Sequence, residues 1–353
     1  MSTAVKATTL GLFILDTFEW RDETGTTVTH RSESVIGGGG TYAILGSRVW
    51  LDQKQVAILV DRGNDWPSEI EAELNVFGSE MWVYRNKQTP TTRALNLYTG
   101  EHRDFKYLTE RVRLEPRDLP RELRSAEYLH FVCSPTRALV ILSQLGDGPN
   151  AVRSSASSQW QPHLCYEPIP FRCVPEELDS LVKVLPHIKV FSPNHEEAAA
   201  FFGISAEQVK VDGKRGIEKL AHKFIELGAQ HMVVIRSGGL GAFAIQRGQD
   251  AGKWVSAYHT DSANVKDVTG AGNSFLGGLM AGLVKDGQNL IRAVEMGAVS
   301  ASYTIEQFGL AKMSVDEQGR ELWNGSLPAN RLDDMRKRRD SNENMTNIGN
   351  DVR

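Results

Sequence analysis

Five short apolar runs recur along this chain with amphipathic stretches between them, and that alternation constrains the fold more than any other feature. The runs are TTLGLFI (8–14), VAILV (56–60), YLHFV (128–132), IKVF (188–191) and HMVVI (231–235). Each is continuous, as in strands buried on both faces, and segments at helical spacing such as 216–228 supply the crossovers that parallel strands need. The pattern predicts an α/β fold, a three-layer α/β/α sandwich around a mostly parallel central sheet. Two stretches break the rhythm. Residues 17–35, with DETG at 22–25, and residues 81–112, with YTGEH at 98–102, are polar and β-branched without a helical period. They read as antiparallel hairpins forming a small β lid, a device that closes a site against water.

A chain of 353 residues, 41% hydrophobic and 24% charged, has the make-up of an ordinary globular protein with a sizeable core. Its formal net charge of −4 offers no general attraction to nucleic acid or an anionic membrane, so a small-molecule protein is expected. The run LGLFIL (10–15) is shorter than a signal-peptide core and ends at Asp16, and no segment nears the ~18 apolar residues of a membrane span. Cys133, Cys165 and Cys173 show no C-x-x-C spacing, which points away from zinc and from a disulfide framework and toward a cytoplasmic protein. One domain over 1–325 is expected. The polar residues 326–353, including the basic cluster Arg336, Lys337, Arg338 and Arg339, read as a solvated, mobile tail.

The stretch VKDVTGAGNSF (265–275) carries the chemistry. From Phe275 the apolar positions Leu276, Leu279, Met280, Leu283 and Val284 follow at helical spacing, so Gly270, Ala271 and Gly272 open a helix. Free N–H groups and the positive end of the helix dipole make such a turn an anion site. A strand-to-helix turn needed only for tight packing would use the same residues.

The segment Asp267 to Gly278, D-V-T-G-A-G-N-S-F-L-G-G, strongly resembles the D-x-x-G-A-G-D-x-F-x-G-G signature of the ribokinase-like (PfkB) carbohydrate kinases. The resemblance runs over roughly 8–312. GLFILD (11–16) looks like the first strand of that family, whose Asp, here Asp16, binds substrate hydroxyls. The run Gly37–Gly40 followed by Thr41 is similar to its second glycine motif, which implies substrate contacts at Gly38, Gly39, Gly40 and Thr41. S-P-N-H-E-E (192–197) resembles its N-x-x-E motif, implying that Asn194 and Glu197 place magnesium through water, although Asn and Glu at this spacing also make a helix-capping box. Gly238 and Gly241 resemble the loop beside the nucleotide, where Asp267 and Asn194 would also act. The glycine run, EPIPFRC (167–173) and the G-A-G-N ending further look like a fungal PfkB-like subgroup associated with maintenance of the killer virus system.

This resemblance implies ATP and Mg²⁺ as cofactors, a small hydroxylated sugar or nucleoside as substrate, and a homodimer formed through the lid. It also makes one departure conspicuous. The signature's last Asp, the base that takes the hydroxyl proton, is Asn273 here. An amide orients a hydroxyl but has no basic oxygen at neutral pH, and general-base catalysis is worth about 10²–10⁴ in rate. Two expectations follow: a weakened kinase that gains strongly from Asn273→Asp, with Asp267 or Asp16 as substitute carboxylates, or a pseudokinase that binds without transfer.

Overall fold

The apolar runs become parallel strands because helices cover both sides of them. The computed structural model describes residues 4–22, 24, 26–99, 102–146, 150–153, 159–249, 251–287 and 289–350. The first half of the chain forms β1 (Ala7–Thr9), β2 (Ile14–Arg21), β3 (Thr27–Gly37), α1 (Gly39–Arg48), β4 (Ile58–Arg62), α2 (Ser68–Asn75), β5 (Trp82–Asn86), β6 (Arg93–Thr99), β7 (His102–Tyr107), β8 (Tyr128–Cys133), α3 (Pro135–Leu142) and β9 (His163–Pro168). The second half adds α4 (Leu178–Val184), β10 (Val190–Phe191), α5 (His195–Ala200), α6 (Ala206–Glu226), β11 (Met232–Arg236), β12 (Ala242–Gln246), β13 (Lys253–Val255), α7 (Ala271–Lys285), α8 (Leu290–Thr304), β14 (Met313–Val315), β15 (Glu321–Trp323) and α9 (Pro328–Asn350).

The central sheet runs β1-β8-β9-β10-β11-β12-β13, parallel through β11 and antiparallel beyond it. A parallel bridge from Ala7 to Val56 joins the β4/β5 pair to the β1 edge. Burial alternates as a two-sided sheet requires: in β11, Met232 and Val234 enter the core under α1, α7 and α8, whereas Val233 and Ile235 enter the core under α3–α6. This is the expected ribokinase-like sandwich.

The expected lid is present with different limits. It is a four-stranded sheet of order β3-β2-β6-β7. The apolar run 8–14 is split, because its end enters the lid as β2 while its start stays in the body as β1. Residues 82–86, assigned to the lid from sequence, instead form β5 on β4, since Trp82 is buried and the strand pairs with the body. The turns expected at 22–25 and 98–102 lie partly outside the described residues. Phe18, Trp20 and Tyr98 stack on one lid face, and Phe308 of the body packs edge-on against Phe18 and Trp20.

The mobile tail is corrected more sharply. Residues 328–350 are helical, and Leu332 and Met335 are buried in the core beside α8. Arg331 makes a bidentate pair with Glu306 at 2.7 and 3.2 Å. Within the basic cluster, Arg336 and Arg339 both bind buried Glu295, and Arg338 donates to the Tyr258 carbonyl at 2.8 Å. The positive charge that looked solvated is largely occupied holding the helix to the body.

Candidate active site

The cavity that matters lies where the parallel strands end beneath the lid, the crevice in which α/β sheets take their ligands. It measures about 660 Å³. Two helix starts enter it, Gly38 and Gly39 at the head of α1, and Gly270 with Asn273 at the head of α7. Asp16 and Tyr107 come from the lid, Gly11 from the loop after β1, Cys133 from the end of β8, and Arg111 and Arg137 from flanking segments.

The α7 turn has the shape its sequence predicts. Gly270 caps the helix at φ 77°, where a side chain would be strained and would also overlap the Tyr42 ring. Asp267 Oδ1 accepts from Thr269 N at 3.0 Å and Thr269 Oγ1 at 2.8 Å, which fixes the approach to the helix. The lid reaches the same atom through the Tyr98 hydroxyl at 3.1 Å. Among the described residues the N–H groups of Gly272 and Asn273 donate to no acceptor of the chain, so the first turn keeps its anion-binding capacity.

Behind this turn is a buried ionic network that sequence reasoning missed. Asn273 Nδ2 donates to Glu167 Oε2 at 2.8 Å. Glu167 Oε1 pairs with Arg236 at 2.8 Å, and the same guanidinium nitrogen stands 3.5 Å from Glu197 Oε2. A Cβ at Gly272 would overlap Arg236, so the glycine makes room for the arginine. Burial pushes the Glu167 carboxyl up, but Arg236 and His130 outweigh it and hold the group below the usual carboxylate range. Glu197 goes the other way, lifted to about 7 by burial against the opposing pull of Arg236. Two carboxylates thus share one guanidinium, with Glu167 ionised and Glu197 holding its proton near neutrality.

The remaining sequence-predicted residues divide. Asp16, Gly38, Gly39, Gly270 and Asn273 meet around the cavity, whereas Gly40 packs against Gly11 and Thr41 is wholly buried in α1, so neither lines it. Asp16 lies on lid strand β2 and not at the end of the sheet's first strand. Asn194 and Glu197 form the reciprocal capping box, with Asn194 N donating to Glu197 Oε2 at 2.7 Å and Glu197 N to Asn194 Oδ1 at 2.8 Å. Gly238 and Gly241 bound the turn after β11, beyond Arg236. Cys133 faces the cavity, but burial pushes its thiol up to about 12, which removes it as a nucleophile. Glu167 and Arg236 carried no local signal: each sits at the end of an apolar strand, and only the sheet order brings them to α7.

Comparison with known proteins bears on the family and on the fold that carries this cavity. Residues 79–317 match the model of the pfkB family carbohydrate kinases. An uncharacterized protein of Schizosaccharomyces pombe is 30% identical over 94% of this chain and 92% of its own length. Protein MAK32 of Saccharomyces cerevisiae is 29% identical over 92% of this chain and 90% of its own. Arabidopsis thaliana ribokinase, solved in complex with ribose and ATP, superposes with a TM-score of 0.59 at 16% identity, covering 87% of this chain and 95% of that one.

Proposed function

This chain belongs to the pfkB family of carbohydrate kinases, and from that premise we propose that it binds ATP with magnesium and a small hydroxylated molecule, a sugar or nucleoside, and transfers phosphate between them slowly. One observation carries the reading: a single cavity joins Asp16, Gly38 and Gly39 to the head of α7, whose Gly272 and Asn273 amides stay unbonded. The Asp16 carboxylate accepts from polyol hydroxyls, and the amides with the positive helix end receive phosphate oxygens. Asn273, between them, orients the attacking hydroxyl and leaves its proton unclaimed. The missing base withholds roughly 3–5 kcal/mol of transition-state stabilisation. Phosphoryl transfer depends chiefly on positioning and charge, so the rest of the arrangement supports slow turnover.

On the nucleotide side the reading assigns Asp267, Gly238, Gly241 and Asn194, with Asn194 and Glu197 holding magnesium through water. The ion would supply charge neutralisation on the phosphates. Among the described residues no group of three or more His, Cys, Asp or Glu gathers into a cage, and Mg²⁺ needs none, since one or two carboxylates with waters and phosphates hold it. Among the described residues no helix is long and apolar enough to cross a membrane. The reading includes a homodimer through the lid, where Val28 is an exposed apolar residue, and no nucleic-acid partner.

Asn273 itself favours a second reading, a pseudokinase that binds both ligands without transfer. Calorimetry with ATP and Mg²⁺, run beside a turnover assay on a panel of sugars and nucleosides, separates the two. Heat with product supports the kinase, heat without product the pseudokinase, and zero heat at saturating Mg²⁺ removes both.

A further inference from the structure

We propose that Glu167 and Asn273 are one charge-swapped unit, in which Glu167 holds Asn273 as an amide with its carbonyl oxygen turned away, and a carboxylate becomes functional at 273 only when the one at 167 is removed. The proposal deepens the phosphotransfer reading and rests on it for its kinetic part alone. An ionised carboxylate only accepts hydrogen bonds, so the 2.8 Å contact assigns Nδ2 to Glu167 and leaves Oδ1 on the opposite branch of an amide that lines the cavity. Glu167 is a positioning residue on this account.

Its surroundings fix it there. Glu167 Oε1 holds Arg236 at 2.8 Å, and Oε2 faces His130 Nε2 at 3.6 Å as well as Asn273. Thr9 Oγ1 accepts from Gly11 N at 2.8 Å and lies 2.9 Å from His130 Nδ1. A hydroxyl oxygen has a second lone pair, so Thr9 Oγ1 either donates to Nδ1 or accepts from it; when it donates, the imidazole proton sits on Nε2, 3.6 Å from Glu167 Oε2. Rotating Glu167 away would leave Arg236 with the Ser192 carbonyl at 3.1 Å and Glu197 at 3.5 Å.

A carboxylate introduced at position 273 would therefore meet a fixed negative charge at hydrogen-bond distance. Two carboxylates so placed share one proton, and the pair gives it up only well above the usual range. Among the other groups near them, Glu197 and Cys173 lie around Arg236, and Asp16 and Asp104 line the same cavity together with Arg113, Arg111, which lies over the Tyr107 ring, and Arg137, which is held by Glu115 and the Leu114 carbonyl. Arg236 already balances the charge of Glu167 at 2.8 Å and cannot also neutralise a second ionised carboxylate. Asn273→Asp alone would then be protonated at neutral pH. In Asn273→Asp/Glu167→Gln, the introduced glutamine keeps Arg236 on its carbonyl and donates its amide to the new carboxylate, which restores an ionised base. That base takes the substrate hydroxyl proton while the oxygen bonds the γ-phosphorus and the bond to ADP breaks.

The test uses the wild type, Asn273→Asp, Asn273→Ala and the double variant, each followed by thermal melting from pH 5 to pH 8 and by transfer to the sugar and nucleoside panel. A carboxyl whose folded pKa is raised stabilises at low pH and loses that contribution as pH rises. Relative to wild type, Asn273→Asp should fall in melting temperature toward pH 8, while Asn273→Ala keeps a constant offset and the double variant, whose Glu197 is relieved of the Glu167 charge, does not fall. At pH 7 the double variant should turn over about tenfold or more faster than Asn273→Asp. Asn273→Asp melting parallel to wild type across the range, matching the double variant in rate, or failing to fold even at pH 5 overturns the pairing. Melting slopes as expected with no product from any variant uphold the pairing and remove the phosphotransfer reading instead.

Discussion

Arg236 decides how the buried carboxylates of this site divide their charge. Glu197, with its carboxyl lifted to about 7 by burial, contributes stability that is full below the unfolded carboxylate pKa and is lost as pH rises through about 7. Glu167, held low, has the opposite sign: its contribution is present above the ordinary carboxylate pKa and disappears as pH falls through its depressed value. Glu197→Gln should accordingly flatten the decline in stability between pH 5 and pH 8, measured by urea unfolding; a decline unchanged from wild type would show that Glu197 does not titrate there. Gly272→Ala tests the same node from the other side. Its methyl group would displace Arg236, so it should cost about 1–3 kcal/mol and abolish the calorimetric response to MgATP. Asn273 was legible in the sequence because a motif with one odd residue exposes that residue. Glu167 stood in plain view within EPIPFRC yet silent, because its meaning is a contact with a residue 106 positions away.

Helix α9 shows why a polar segment can still be an element. Its buried apolar residues Leu332 and Met335 sit three apart on one face, too narrow a stripe for a periodicity reading, and much of its attachment is ionic. Arg331→Ala removes the bidentate partner of half-buried Glu306, which keeps its bonds to His259 at 2.9 Å and Asn324 at 2.6 Å, so it should cost about 1.5–3 kcal/mol in a urea titration. A loss within ordinary surface scatter would return α9 to the status of a loose tail. The lid is attached more lightly, by the Phe308 contacts and by Tyr98 on Asp267. Tyr98→Phe removes the hydroxyl's bond to Asp267 and its 3.4 Å contact with Thr269, and at about 0.5–1.5 kcal/mol for such a bond should speed amide exchange in β6 and β7 without moving the global melt. Uniform acceleration over the whole chain would mean that the lid does not open on its own.

Two cores flank one sheet, and the cavity lies at the edge where both are interrupted by helix starts. Ligands that bind only the folded chain should raise its stability by mass action, by about 2.7 kcal/mol at a hundredfold excess over Kd, so the melting temperature should climb with MgATP concentration. A melt indifferent to MgATP would contradict the proposed function independently of any assay for product. By itself the sequence determined the parallel sandwich, the lid and the helix-opening glycine turn, since burial periodicity and backbone freedom are local properties that a few neighbouring residues settle. Only the tertiary structure decided which carboxylate faces Asn273, that Arg236 is shared between Glu167 and Glu197, that 82–86 belongs to the body, and that the last helix is docked. These depend on strand order and on the low dielectric of a packed interior, where the state of one charge is set by groups far along the chain.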